Sequence, residues 1–314
     1  MTSVAWTPVS RRIGNTGMAV YPLALDGSVF GWAADTAATA EAIDLFVGVG
    51  GNLISTADHY AGGRSEVMIG SWLRRSQARD HLVIATKVGK HPDALGLSAA
   101  AIGRAVDASL ERLGTEYIDL LSFDGDDPSV PLEESLTAVA ELIARGKVHH
   151  LSAAGWSGER LRDAVRVAHR LELAGITTVL TEYNLLEREP YESDIAPVAF
   201  AQDLGVLARM PLAYGYLLGE LRSRADRPKS PMFAAATQYI GRRGNRVLAV
   251  LDDLAWETGA TVGQLALAWL LAKPSVSAPV VRVKDARTLL DLIPAVDLDL
   301  TCEQIERLDR ASER

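Results

Sequence analysis

The chain has 314 residues, 48% hydrophobic and 23% charged, which excludes a disordered tail and leaves ample length for a buried core. Forty acidic residues against 32 basic ones give a net charge of −8 with no basic tract, which argues against nucleic acid as a partner. The single cysteine, Cys302, excludes an intramolecular disulfide and a cysteine-built metal cluster.

Short apolar segments alternate with amphipathic ones along the whole chain. Leu23–Leu25, the weakest, is followed by Asn52–Ser55, His81–Thr86, Ile118–Leu121, Val148–Ser152, Thr177–Leu180, Val206–Ala208 and Val276–Val281, all read as buried strands. Between them, Ile102, Val106, Leu110 and Leu113 recur at helical spacing, with Gly114 as the stop. Pro131 opens a second stripe of Leu132, Leu136, Val139 and Ile143, closed by Gly146. Thr261 and Gln264 make a capping box ahead of Leu265–Ala272, an apolar run far short of the ~20 residues a membrane span needs. Met1–Arg12 carries no apolar run of the signal-peptide kind. The expectation is a soluble cytoplasmic protein without a membrane partner.

Eight strands alternating with helices predict a (β/α)8 barrel, an α/β fold, as one domain over residues 1–314. A doubly wound sheet is the rival, but Leu25-Asp26-Gly27-Ser28 is not the glycine-rich phosphate loop such a sheet places after its first strand. The polar stretch at about 221–245, with Pro228 and Pro231, reads as a long rim loop. In a barrel the chemistry sits at the carboxyl ends of the strands. That singles out Ser55–Tyr60, Lys87, Asp124, Ala153–Trp156, Tyr183–Asn184, Arg209–Tyr216 and Arg282–Arg287.

These rim segments resemble the aldo-keto reductase superfamily, in the branch that includes bacterial reductases and potassium-channel β subunits. The resemblance runs from about Arg11 to Ala311. It rests on Arg12-Ile-Gly-Asn-Thr-Gly17, Phe30-Gly-Trp32, Gly50-Gly-Asn52, Thr56-Ala-Asp-His-Tyr60, Ala85-Thr-Lys87, Leu113-Gly-Thr-Glu-Tyr-Ile-Asp-Leu120, Gly146-Lys-Val148, Glu182-Tyr-Asn-Leu-Leu-Glu-Arg188 and Ala278-Pro279. It implies carbonyl reduction with NADP(H) by an Asp, Tyr, Lys and His. Tyr60 and Lys87 match the tyrosine and lysine, whereas Ser55 stands at the aspartate position and Asp124 at the histidine position. The Ser-Asn pair that grips the nicotinamide amide aligns with Ala154-Gly155, and its Gln with Leu180. Arg209 takes the place of the ring that stacks on nicotinamide, and Met210 that of the following serine. Asp26 and Arg282 replace small glycine-type positions, and Thr288 and Leu292 align with the adenine-facing Gln and Asn.

Tyr60 and Lys87 are an acid/base pair in any mechanism, because a nearby ammonium favours the phenolate. Asp124 is read as an active-site residue and as the candidate counter-charge of Lys87; its alternatives are a protonated hydrogen-bond donor and a plain polar rim residue. His59 is read as a rim residue of the pocket, with an added acid/base group as the alternative. His149 and His150 are read as packing residues of a buried strand. Trp156 and Tyr214 supply either aromatic walls to a substrate or rim packing. Arg209 calls for an anionic partner: Asp124, Asp26, or a carboxylate or phosphate on a ligand. Arg282, Lys284 and Arg287, with Leu212, Ala154 and Gly155, form the cofactor- or anion-binding set. Asp124, Asp126 and Asp127 read as a solvated turn, and no metal is expected.

Three functions compete. The first is an acid/base enzyme of elimination, isomerisation or cyclisation on a small, anionic molecule, the nicotinamide site having been given up. The second is an NADP(H)-dependent oxidoreductase of a carbonyl or an activated double bond. The third is a non-catalytic binding or regulatory protein.

Overall fold

In the computed structural model, residues 10–223, 225–226 and 231–313 are described. Eight parallel strands close into a barrel in the order β10-β3-β4-β5-β6-β7-β8-β9. They are β3 (Ala24–Asp26), β4 (Leu53–Ser55), β5 (Val83–Val88), β6 (Ile118–Asp124), β7 (Val148–Ala154), β8 (Ile176–Glu182), β9 (Gly205–Arg209) and β10 (Val276–Val281). The predicted α/β barrel is therefore the fold, and each of the eight apolar segments overlaps one of its strands.

Most strands run further toward their carboxyl ends than the apolar runs suggest. β5 also starts later than His81, because Arg79–His81 is a 3₁₀ turn held by one guanidinium. Arg79 donates to the carbonyls of Leu82 (2.9 Å) and Tyr117 (2.9 Å) and to the Asp119 carboxylate (2.6 Å). A hairpin of β1 (Arg11–Arg12) and β2 (Ala19–Val20) precedes the barrel, two residues per strand and too short for any periodic signal. It carries Ile13, Met18 and Val20 into the apolar interior formed by Ala24, Leu53, Val83, Leu120, Leu207 and Ala278. Burial of those side chains plugs the amino-terminal end, so only the carboxyl end is left open.

The helices follow the stripes and stops in the sequence. The first pair is α1 (Thr36–Gly48) and α2 (Arg64–Ser76). Then α3 (Ala99–Leu113) buries Ile102, Val106 and Leu113 and ends on Gly114 at φ 66°, a left-handed position glycine adopts without strain. Next, α4 (Leu132–Ala144) starts after Pro131, and α5 (Gly158–Arg170) and α6 (Ala196–Ala201) follow. After α7 (Arg242–Thr258), α8 (Val262–Leu271) has the predicted capping box. The Thr261 N–H donates to Gln264 Oε1 at 2.9 Å, and the Gln264 N–H to Thr261 Oγ1 at 3.3 Å. Finally, α9 (Ala286–Leu292) and α10 (Cys302–Ser312) complete the ring.

The stretch at 221–245 differs from the predicted loop. Pro231–Tyr239 is a 3₁₀ helix and α7 already begins at Arg242; residues 224 and 227–230, Pro228 among them, lie outside the described residues. Among the described residues, no helix is long and apolar enough to cross a membrane.

Candidate active site

Side chains alternate along a strand, so every second residue of a barrel strand points inward. The inward set below the mouth includes the apolar Ala24, Leu53, Ala85, Leu120, Leu180, Leu207 and Val280, and on the same parity the buried Ser122, Ser152 and Thr178. Continuing the same parity to the strand ends gives the ring at the mouth: Asp26, Ser55, Lys87, Asp124, Ala154, Glu182, Arg209 and Arg282. Seven of these eight are candidates from sequence. Glu182 is the eighth, and two-residue alternation from Leu180 would have found it.

On one side of the mouth Lys87 is 2% exposed. Its ammonium donates to the Thr56 carbonyl at 2.6 Å and lies 4.6 Å from the centroid of the Tyr60 ring. Ser55, beside it on β4, is buried. Asp124 does not serve as the counter-charge of Lys87. It accepts from the Lys90 ammonium at 2.8 Å, and its other oxygen lies 3.8 Å from His59 Nε2. Lys90 stands two residues beyond β5 with a half-exposed side chain, so it meets the carboxylate while most of its charge stays hydrated, at a lower desolvation cost than a second buried ion would carry. His59 packs edge-on against Tyr60, with ring centroids 4.9 Å apart. Its Nδ1 is 3.2 Å from the carboxylate of Asp58, which is fully buried and which sequence reasoning passed over.

The other side is furnished differently. Ala154 and Leu180 are buried and apolar. Glu182 and Arg209 are paired in register on β8 and β9, and the Arg209 Nε is buried without a hydrogen-bond partner. Burial pushes the Glu182 carboxyl above the ordinary carboxylate range, against the opposing pull of the Arg209 cation. Burial and the Glu182 charge together push the Tyr239 phenol upward.

Arg282 lies over a groove lined by Asp26, Met210, Leu212, Tyr214, Thr288 and Leu292 that encloses about 40 Å³. Its Nε is 3.8 Å from Asp26, and its guanidinium is 3.6 Å from the Met210 sulfur. Met210, Ala213 and Tyr214 all have positive φ in this loop. Non-glycine residues pay for that conformation, and such strain collects at binding sites.

Lys284 and Arg287 are exposed and do not line this groove, so the predicted basic trio is divided. They are drawn instead to Asp285, which caps α9 and bonds Thr288. Trp156 is rim packing: it is 4% exposed, lies against Phe123 at 5.9 Å and donates its indole N–H to the Gly125 carbonyl at 2.8 Å. Among the described residues, no group of three or more His, Cys, Asp or Glu is arranged to hold a metal ion.

A closed barrel of eight parallel strands, with Lys87, Asp124, Glu182, Arg209 and Arg282 at its carboxyl-end rim, defines a (β/α)8 fold. Residues 25–313 match the model of the aldo/keto reductase family, and the chain belongs to that family. It is 31% identical over 311 residues to "Uncharacterized oxidoreductase YrpG" of Bacillus subtilis, covering 95% of this chain and 94% of the relative. It is 30% identical to "Norsolorinic acid reductase B" of Aspergillus parasiticus, covering 92% of this chain and 78% of the relative. It is 28% identical to a "Probable voltage-gated potassium channel subunit beta" of Oryza sativa, covering 95% of each. The family acts on small-molecule substrates and generally uses NADP(H).

Proposed function

We propose that this chain is an acid/base enzyme on the aldo-keto reductase scaffold, moving protons rather than hydride on a small molecule that carries an anionic group. Elimination, isomerisation and cyclisation are the reaction classes that need only this equipment. The observation that carries the reading is the contrast at the mouth. The buried Lys87 ammonium sits 4.6 Å from the Tyr60 ring, while the nicotinamide positions hold Ala154, Gly155, Leu180 and Arg209. Ala154 and Leu180 offer a carboxamide no polar side-chain atom, and the Arg209 cation repels an oxidised nicotinamide ring. The nucleotide groove, with Arg282 drawn across it, encloses about 40 Å³. These residues do not fit a gripped dinucleotide.

In this reading the Tyr60 hydroxyl gives or takes the proton at the reacting carbon or oxygen. Lys87 places its positive charge beside the Tyr60 ring. Ser55 and Asp124 complete the polar wall beside them. The buried, unpartnered Nε groups of Arg209 and Arg282 support an anionic substrate. Each unmade hydrogen bond costs about 1–3 kcal/mol, which a carboxylate or phosphate oxygen offsets. The reading takes residues 1–314 as one barrel domain working in the cytoplasm without a metal.

A second reading, an NADP(H)-dependent oxidoreductase, is favoured by the names of the Bacillus and Aspergillus relatives and by the cationic Arg282. A third, a binding or regulatory protein, draws on the channel-subunit relatives. Calorimetric titration with NADPH and NADH, with Arg282→Ala as control, separates the first two. Deuterium uptake from D2O by a panel of 2-oxo and 3-oxo acids, measured by mass spectrometry, then tests proton chemistry. The expected outcome is no cofactor binding at millimolar concentration, with deuterium uptake that Tyr60→Phe lowers by roughly 10²–10⁴-fold. Micromolar NADPH binding with hydride transfer to a carbonyl establishes the second reading instead. A Tyr60→Phe protein with full activity removes the first.

A further inference from the structure

The Thr56–Tyr60 loop buries a carboxylate that the chemistry above does not use. Asp58 is fully buried, and its backbone N–H donates to the Lys87 carbonyl at 3.0 Å, which ties it to β5. One carboxylate oxygen faces His59 Nδ1 at 3.2 Å; the other is buried with no hydrogen-bond partner. Burying a half-satisfied carboxylate is costly. The side chain it meets is His59, so the cost has a return only if holding that imidazole matters.

His59 is held from three directions. Asp58 takes Nδ1, the Asp124 carboxylate stands 3.8 Å from Nε2, and the Tyr60 ring lies against its edge at 4.9 Å. Lys90 engages the far oxygen of Asp124 at 2.8 Å, and Lys87 lies 4.6 Å from the centroid of the Tyr60 ring. The His59 side chain is 27% exposed, so the ring reaches water as well as the site.

We infer that Asp58 and His59 form a carboxylate–imidazole relay that carries protons between solvent and Tyr60. The inference rests on the acid/base reading of Tyr60. With Asp58 accepting from Nδ1–H, Nε2 is the nitrogen left to exchange protons, the same tautomer logic by which a buried aspartate orients a catalytic imidazole. Tyr60 gives its phenolic proton to substrate. The resulting tyrosinate takes a proton from Nε2–H of the imidazolium, leaving neutral His59 with its proton on Nδ1, donated to Asp58. Nε2 is then reprotonated from solvent, water giving up the proton and releasing hydroxide to bulk. The Asp124 carboxylate faces the charged imidazole, and Lys90 engages its far oxygen. His59 thus supplies from a neighbouring loop the imidazole that the β6 end does not carry. Asp58 acts through His59 and is a positioning residue.

Two measurements test this. The first needs no substrate: 15N NMR of the imidazoles in the whole protein, with His59 assigned by its loss in His59→Gln. Neutral His59 is expected to carry its proton on Nδ1, and Asp58→Asn to abolish that preference. A proton on Nε2, or a tautomer indifferent to Asp58→Asn, overturns the relay. The second uses the deuterium-uptake assay. His59→Gln is expected to lower exchange at least about tenfold, to flatten its pH dependence between about pH 6 and 8, and to be rescued by added imidazole. A merely structural histidine would show neither the flattening nor the rescue. If Tyr60→Phe abolishes uptake while His59→Gln leaves it unchanged, the relay fails and the Tyr60 reading stands. If no probe takes up deuterium, that reading loses its support, and the NMR result decides the Asp58–His59 pairing by itself.

Discussion

The two sides of the barrel mouth are built alike and furnished oppositely. On the β4–β6 side, Tyr60, Lys87, His59, Asp124 and Lys90 lie in one connected set of ring and charge contacts, with separations of 2.8–4.9 Å between neighbours. On the β7–β10 side, Ala154 and Leu180 leave an apolar wall, and Arg209 and Arg282 hold buried N–H groups without partners. The first side is organised without a ligand, and the second is a set of unmet needs. On the proposed reading, the lesson is that proton-transfer groups are pre-positioned by the protein itself, whereas binding groups show their purpose by what they lack.

The comparison breaks most sharply at Lys87. Lys87→Met is expected to lower deuterium uptake by about 10²-fold or more and to leave the Thr56 carbonyl without its donor, a loss of about 1–3 kcal/mol. Uptake and urea unfolding, measured side by side, report the two effects separately. An unchanged rate would mean that the organised side is not the reacting side.

Behind that side, Glu66 is fully buried and takes the Thr86 hydroxyl at 2.6 Å and the Arg112 guanidinium at 2.7 Å. Glu66→Gln leaves Arg112 without its counter-charge. Breaking one side of a buried pair costs about 3–5 kcal/mol, read as a lower urea midpoint at constant slope. A change below about 1 kcal/mol would show that the site does not depend on this support.

The other side can be refurnished. Ala154→Ser with Gly155→Asn is expected to give NADPH binding that calorimetry detects at millimolar concentration, where the parent shows none. Gly155 has φ 70° and nothing within 4 Å of an added Cβ, and asparagine tolerates that conformation better than most residues. No gain would place the obstacle at Arg209 and Arg282 instead.

The smallest effect concerns pH. Burial raises the folded-state pKa of Glu182, so the folded state binds more protons than the unfolded chain between the ordinary and the raised value. Stability from this group therefore falls as pH rises through that window. Glu182→Gln is expected to be more stable than the parent at about pH 8 and equal to it at about pH 4 by thermal melting, and the reverse order would mean that Arg209 outweighs burial.

Much of this protein was legible in its sequence. Apolar runs such as Ile118–Leu121 and stripes such as Ile102, Val106 and Leu113 are local signals, because the period of a strand or helix is set by its own backbone. Capping works the same way, as Thr261 and Gln264 show. The family resemblance then pointed to Tyr60 and Lys87 as site residues, and the structure brings them together at the carboxyl end of the barrel. What only the tertiary structure decided was who meets whom. Asp124 turned from Lys87 to Lys90 and His59, Arg282 parted from Lys284 and Arg287, and the hairpin of β1 and β2 plugged the barrel floor. Asp58 came into view only when strands and loops distant in sequence closed around it, whereas Glu182 was within reach of two-residue alternation from Leu180. The physical reason is range. Backbone periodicity acts over a few residues, whereas ion pairing, burial and desolvation depend on distances that exist only once the eight strands have closed.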